Sequence, residues 1–134
     1  MGSVSFNPSG ELIVLRLQVG GADPDPDTFR NVTVALDTGA TITIIPSQVL
    51  IALGYDLLNP EDRVQLLTAS GPAFAKRINV RRLTAIGETI ENIDVLCHDL
   101  PGNSPIKGLL GLNFLRHFNV NISFSTGTIE LLPR

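Results

Sequence analysis

Hydrophobic and polar residues alternate along much of the chain, a pattern that indicates β-strands with one buried face. Two segments near the N-terminus are also rich in β-branched residues: "ELIVLRLQV" at residues 11–19 and "FRNVTVAL" at residues 29–36. The "GGADPDPD" segment between them combines glycine and proline in a way that excludes a helix. We therefore expect two strands joined by a turn-forming linker.

The middle of the chain predicts one short helix and a hairpin. "PSQVLIALG" reads as a helix with Pro46 in its first turn and Gly54 just past its end. Residues 64–78 predict two strands that turn at "ASGP". "VRRLTAI" and "ETIENIDVLCHDL" predict further strands, one on each side of Gly87.

The C-terminal third predicts the remaining elements. "GLLGLNFLRHF" reads as an apolar strand, a glycine and a short helix that Asn113 could N-cap. "VNISFSTGTIELLP" predicts a hairpin turning at "STG". The whole pattern predicts an all-β domain with one or two short helices.

The length, charge and cysteine content of the chain exclude several classes of function. The chain has 134 residues, so residues 1–134 are expected to form a single domain. Residues 1–10 are expected to be flexible or to have been added by cloning. The net charge of −3 and the scattered cations argue against nucleic-acid binding. No apolar run is long enough to span a membrane and the start lacks signal-peptide features, so a cytoplasmic location is expected. The single Cys97 excludes an internal disulfide and any multi-cysteine metal site.

One carboxylate interrupts an apolar stretch. In "VTVALDTGATITII" the acid Asp37 follows Leu36 and precedes a Thr-Gly turn, with apolar sequence on both sides. It is therefore expected to be at least half buried. Burying a carboxylate costs free energy unless the group is paired or used.

Two short motifs carry the candidate chemistry: Asp37-Thr38-Gly39, followed by Ala40, and Leu109-Leu110-Gly111. Their type, order and spacing resemble the active-site signature and the supporting strand of retropepsin-like aspartic proteases, which carry one such motif per chain. The resemblance implies a small closed acid-protease barrel in which Asp37 is catalytic and the leucines pack beneath its loop. It also implies that Thr38 reaches across a dimer axis and that the Gly39 amide binds a carboxylate oxygen.

A single motif per chain has a chemical consequence. Hydrolysing a peptide without a metal or a covalent nucleophile requires one carboxylate to deprotonate water and a second carboxyl group to protonate the carbonyl oxygen. Two carboxyl groups about 3 Å apart share one proton. A two-fold homodimer supplies both, because the axis brings the same Asp37 from each subunit together. An acidic to mildly acidic optimum and a bell-shaped pH profile are then expected.

The resemblance also implies a flap over the substrate, formed by residues Thr68, Ala69, Ser70 and Gly71. Such a flap would close over an extended peptide that pairs as an added strand. The segment departs from the viral pattern because it has fewer glycines and because Pro72 lacks an amide donor.

Three other clusters have simpler interpretations. Asp23, Asp25 and Asp27 resemble a calcium loop, but the required Gly and closing Glu are absent, so a solvated loop is favoured. Cys97-His98-Asp99 cannot form a triad, because consecutive strand residues point to opposite faces. Arg81-Arg82 is interpreted as a solvated strand edge.

The sequence thus predicts a homodimeric aspartic endopeptidase that uses no metal or organic cofactor and acts on extended peptides or proteins. One alternative is a catalytically silent module of the same fold that dimerises or binds peptides. A second is a processing fragment of a longer protein that cleaves only itself.

Overall fold

The computed structural model describes residues 2–58, 63–68 and 71–134. Its elements in chain order are β1 (Gly2–Ser5), β2 (Val14–Gly20), β3 (Phe29–Leu36), β4 (Ile44–Ile45), α1 (Ser47–Ala52), β5 (Arg63–Thr68), β6 (Gly71–Ala85), β7 (Glu88–Cys97), β8 (Gly108–Leu110), α2 (Leu112–Leu115), β9 (Phe118–Ser123) and β10 (Thr128–Pro133). Strands make up 49% of the structure and helices 8%, which confirms the all-β prediction.

The strands form two sheets within the described residues. The larger has the order β2-β3-β8-β4-β7-β6-β5, and an additional pairing between β2 and β6 closes six of these strands into a barrel. The smaller has the order β1-β10-β9. Large apolar side chains fill the barrel, among them Leu17, Val34, Leu110 and Phe114, all fully buried.

Several predicted elements agree with the structure. β3 has the predicted bounds, and β9 and β10 form the predicted C-terminal hairpin. Gly54 follows α1 with a φ of +88°, the left-handed conformation that glycine adopts without steric cost. The alternation in β3 places Val32 and Val34 in the core, while the intervening Thr33 is exposed.

Other expectations need correction. Pro46 is the extended residue before α1, which begins at Ser47. The strand predicted from "VRRLTAI" is the second half of β6, because nothing between residues 78 and 80 breaks its pairing with β7. Within residues 1–10, which are expected to be flexible or added by cloning, Gly2–Ser5 pair as β1 with β10.

The arginine pair is more than a solvated edge, because Arg82 pairs with Glu91 of β7 and β6 pairs with β2 from Leu83 onward. The Arg82 guanidinium instead donates hydrogen bonds to the carbonyl oxygens of Asp25, Pro26 and Thr28, and Arg81 Nε donates to the Ala22 carbonyl. Both side chains therefore fix the aspartate-rich linker. Within the described residues, no helix is long and apolar enough to cross a membrane.

Candidate active site

Asp37 lies one residue beyond the end of β3, where that strand runs parallel to β8. The parallel register places Leu36 beside Leu110. The Asp37 N–H donates to the Leu110 carbonyl at 3.0 Å, which extends the pairing by one residue. The Asp37 carbonyl in turn accepts the Ala40 N–H at 3.2 Å. The Asp37 N–H is therefore tied to the barrel, and the Asp37 carbonyl closes a tight turn with Ala40.

The Asp37 side chain is half buried and has a backbone donor. The Gly39 N–H donates to Asp37 Oδ1 at 2.8 Å. A Cβ on residue 39 would lie 3.1 Å from that same oxygen, so glycine leaves the carboxylate the room it occupies. Thr38 and Gly39 are exposed, whereas Ala40 is half buried. The carboxylate is thus held in one orientation at the surface of the barrel.

The Asp37 loop consists of residues 37–43, between β3 and β4. Strand β8 and the start of α2 pack against this loop. The Ala40 carbonyl accepts the Leu112 N–H at 2.8 Å. Gly111 lies so close to the loop that a Cβ there would be 2.8 Å from the Ala40 oxygen. Leu110 is fully buried in the main core, while Leu109 is half buried against a second apolar cluster that contains Ile44. Leu110 and Gly111 therefore lie directly against the loop, whereas Leu109 packs beside Ile44.

A polar network that the sequence did not predict holds the far end of the loop. Asn113 Oδ1 accepts hydrogen bonds from the Thr43 N–H at 2.9 Å and from Thr43 Oγ1 at 3.0 Å. Asn113 Nδ2 donates to the Asp94 carbonyl at 2.6 Å, and Thr43 Oγ1 accepts the Gly111 N–H at 3.0 Å. Thr43 is fully buried, so the three bonds that it makes satisfy polar groups that have no access to water.

This network corrects the role assigned to Asn113. The N-cap of α2 is Gly111, which has no side-chain cap, and Asn113 lies inside the helix. Its side chain points back to the loop instead. A signal for this was present in the sequence, since an amide inside an otherwise apolar helix is expected to have a buried partner.

An apolar cavity opens beside the Asp37 loop. Its volume is about 280 Å³. Its lining residues are Leu36, Thr38, Leu112, Leu115, Arg116, Val120 and Ile122. Five of these seven are aliphatic. Since Leu36 and Thr38 flank Asp37 in the chain, the cavity adjoins the candidate catalytic loop.

Comparisons with known proteins agree with this geometry. Residues 29–117 match the family described as "gag-polyprotein putative aspartyl protease". The chain belongs to this family. A similar solved structure is that of a retropepsin-like aspartic protease from Rickettsia conorii, with 23% identity and a TM-score of 0.68, covering 96% of this chain and 87% of that one. The search of curated proteins found no match.

Membership of the aspartyl protease family and the retropepsin-like fold confirm the resemblance inferred from the two motifs. They support a protease function in general. The individual roles of Asp37, Thr38, Gly39 and Ala40 stay predictions.

The residues expected to form the flap, 68–71, lie where β5 ends and β6 begins. The last described pair of this hairpin is Thr68 opposite Gly71. The tip residues Ala69 and Ser70 lie outside the described residues. The assignment of this hairpin as the substrate flap therefore stays a prediction of the resemblance.

The Cys97-His98-Asp99 cluster does not form a catalytic triad. Both Asp99 carboxylate oxygens accept the Ser47 hydroxyl, at 3.0 and 2.8 Å, and Oδ1 also accepts the Ser47 N–H. Burial, and then the Asp99 charge, raise the pKa of the half-buried Cys97 thiol, against a smaller lowering by Lys76. A raised pKa disfavours the thiolate, which is the nucleophilic form.

The three linker aspartates also lack the arrangement of a metal site. Asp23 and Asp25 each accept the backbone N–H two residues further on, at 3.0 and 2.9 Å, and all three side chains are exposed. In the part of the chain that the structure describes, no group of three or more potential ligands is placed to hold a metal ion.

Proposed function

We propose that this chain is an aspartic endopeptidase in which two copies of Asp37, one from each subunit of a homodimer, activate a water molecule. The observation that supports this most directly is the fixed orientation of the Asp37 carboxylate. The Asp37 N–H is hydrogen-bonded to β8, and Asp37 Oδ1 accepts the Gly39 N–H. The loop packs directly against Gly111. Such preorganisation lowers the cost of orienting a base during the reaction.

Each carboxyl group has a separate task in this reaction. The ionised one removes a proton from water as the water oxygen attacks the peptide carbonyl carbon. The protonated one donates its proton to the carbonyl oxygen, which gives a neutral tetrahedral intermediate. When the C–N bond breaks, the nitrogen takes the proton that the protonated carboxyl group now carries. A hydroxyl group of the intermediate gives its proton to the other carboxylate as the new carboxyl product forms, so the dyad again holds one proton.

The second carboxyl group is proposed to come from another copy of the chain. Among the described residues, the hydrogen bonds of the Asp37 loop involve no other carboxylate. An isologous dimer supplies one without any further residue, because its two-fold axis relates identical loops. Thr38, exposed beside the cavity, is then available to contact the other loop.

The substrate is proposed to be an extended peptide or protein segment. A peptide in that conformation offers backbone groups on both sides, so it can pair with the β5–β6 hairpin as an added strand. In this proposal Thr68, Ala69, Ser70 and Gly71 form the flap.

The test is a comparison of Asp37→Asn with Asp27→Asn in a peptide-library cleavage assay over a range of pH. Asparagine keeps the shape of the side chain but cannot accept the proton, so Asp37→Asn should lose at least about a thousandfold in kcat/KM. Asp27 is exposed on the linker, so its variant should match the wild type. Wild-type activity should follow a bell-shaped pH profile.

Cleavage by Asp37→Asn at the wild-type rate would refute the proposal. A wild-type protein that binds library peptides without cutting them would instead identify a silent binding module. Sedimentation of both variants at the wild-type mass would show that neither substitution acts through dimerisation or folding.

A further inference from the structure

Strand β2 has an open edge over its first three residues. On one side it pairs with β3 along its whole length, from Val14 to Gly20. On the other side it pairs with β6 only from Leu17 onward, because β6 ends at Ala85. No other strand of the described residues pairs with β2. Residues 14–16 therefore have one side without a neighbouring strand.

The hydrogen-bond pattern of β2 directs peptide groups to that open side. The Leu36 N–H donates to the Ile13 carbonyl at 2.9 Å, so these two residues form a hydrogen-bonded pair. Hydrogen-bonded and non-hydrogen-bonded pairs alternate along an antiparallel ladder. Val14, the next residue, is therefore in a non-hydrogen-bonded pair, and its N–H and C=O point away from β3. The Arg16 N–H points in the same direction.

Strand β1 has a second open edge. It pairs with β10 on one side, and no strand of the described residues pairs with its other side. The Phe6 N–H donates to the Gly127 carbonyl at 2.8 Å, so by the same alternation the Ser5 peptide groups point away from β10. Ser5, Val14 and Arg16 all line one cavity of about 590 Å³. This polar cavity thus has an open strand edge on β1 and another on β2.

The polar cavity contains one cation. Arg16 lies opposite Thr33, and Gln18 lies opposite Asn31, so these four side chains project from the same face of the sheet. All four line the polar cavity, and its described lining includes no Asp or Glu. Within the described part of the chain, the exposed Arg16 guanidinium has no hydrogen-bond or ion-pair partner. One cation among neutral amides and hydroxyls suits a single carboxylate better than the repeated phosphates of a nucleic acid.

We propose that the polar cavity binds an extended peptide segment of a partner protein, with a carboxylate side chain of that segment on Arg16. The segment adds a strand beside Val14 and Ser5, whose peptide groups pair with its backbone. The guanidinium holds the carboxylate through two parallel N–H···O bonds. From Val14 to Gln18 the strand spans about 13 Å, the length of about five extended residues. None of residues 37–43 lines the polar cavity, so this inference does not depend on the proposed function.

The test compares two short peptides with blocked ends. Both consist of threonine, which favours an extended backbone, except for one central residue that is glutamate in the first and glutamine in the second. The Asp37→Asn protein is used alongside the wild type, so that cleavage does not remove the ligand. In calorimetric titrations the glutamate peptide should bind at least about tenfold more tightly than the glutamine peptide. Its binding should also slow hydrogen exchange at the Val14 and Ser5 amides.

The variant that tests the cation is Arg16→Gln, with Arg30→Gln as the matched control. Without the guanidinium, both peptides should bind with the same lower affinity. Arg30 is also an exposed arginine of this sheet, but it precedes Asn31 on β3 and so points to the opposite face. Its variant should keep the tenfold preference for glutamate. Similar thermal unfolding midpoints would show that neither substitution acts through folding.

A third peptide tests the strand pairing. Methyl groups on the backbone nitrogens of the glutamate peptide remove its N–H donors, so it should not bind. Equal binding of the methylated peptide would contradict strand addition, and a glutamate preference that survives Arg16→Gln would contradict the carboxylate site. Absence of binding at millimolar peptide would overturn the whole proposal. Exchange protection in the Asp37 loop, and not at Val14 and Ser5, would overturn it as well.

Discussion

The two loops at the ends of β3 both contain carboxylates, yet they are built differently. The linker at residues 21–28 enters the strand, and the Asp37 loop leaves it. In the linker, Asp23 and Asp25 accept amides two residues further on and stay exposed. In the other loop Asp37 accepts the Gly39 amide in the same way, but its side chain is half buried. The same side chain thus has a local structural role at one end of β3 and a candidate catalytic role at the other.

The two loops also differ in what fixes them. The middle of the linker is held by Arg82, a partly exposed side chain whose guanidinium reaches three of the linker's carbonyl oxygens. The Asp37 loop is held by β8 and by the bonds between Asn113 and the buried Thr43. A loop fixed to the core keeps its geometry better than one fixed at the surface, as a site of proton transfer requires.

The largest effect on this comparison is expected from Asn113→Ala. Removing the amide leaves the buried Thr43 N–H and the Asp94 carbonyl without a partner, which should lower the free energy of unfolding by about 3 kcal/mol. Peptidase activity should fall as well, because the far end of the Asp37 loop loses its anchor. Denaturant unfolding and kcat/KM would measure the two effects.

The control for this variant is Asn79→Ala. Asn79 is exposed and donates one hydrogen bond to the Asp94 side chain. Its loss should change the free energy of unfolding by no more than about 0.5 kcal/mol. Equal effects of the two substitutions would show that the Thr43 network does not stabilise the loop.

A smaller effect is expected from Arg82→Ala at the other end of β3. The linker loses three hydrogen bonds, but its carbonyl groups can turn to water, so the free energy of unfolding should fall by only about 1 kcal/mol. Activity should stay at the wild-type level, whereas the linker should be cut faster in limited proteolysis. A large loss of activity would mean that the two ends of β3 are coupled.

The sequence predicted the features that depend on neighbouring residues. The bounds of β3, the C-terminal hairpin and the position of Gly54 follow from alternation and from turn residues a few positions apart. The two motifs were sufficient to indicate the protease family, because each is a short contiguous signature.

The sequence did not predict the features that join distant segments. Asn113 and Thr43 are 70 residues apart, and Arg82 and Thr28 are 54 apart. Asparagine and arginine are also common at caps and surfaces, so their local context favoured those roles instead. Only the barrel topology, which places β8 and α2 under the loop, reveals the actual partners.

The claim that one active site contains two copies of Asp37 can be tested most directly by mixing subunits. Wild-type and Asp37→Asn chains would be combined in different ratios at a constant total chain concentration, allowed to exchange, and assayed for peptide cleavage. If each site needs both carboxyl groups, activity follows the square of the wild-type fraction, so an equal mixture retains about a quarter of the activity. A linear decrease, with about half retained, would mean that each chain carries a complete site and would contradict the account.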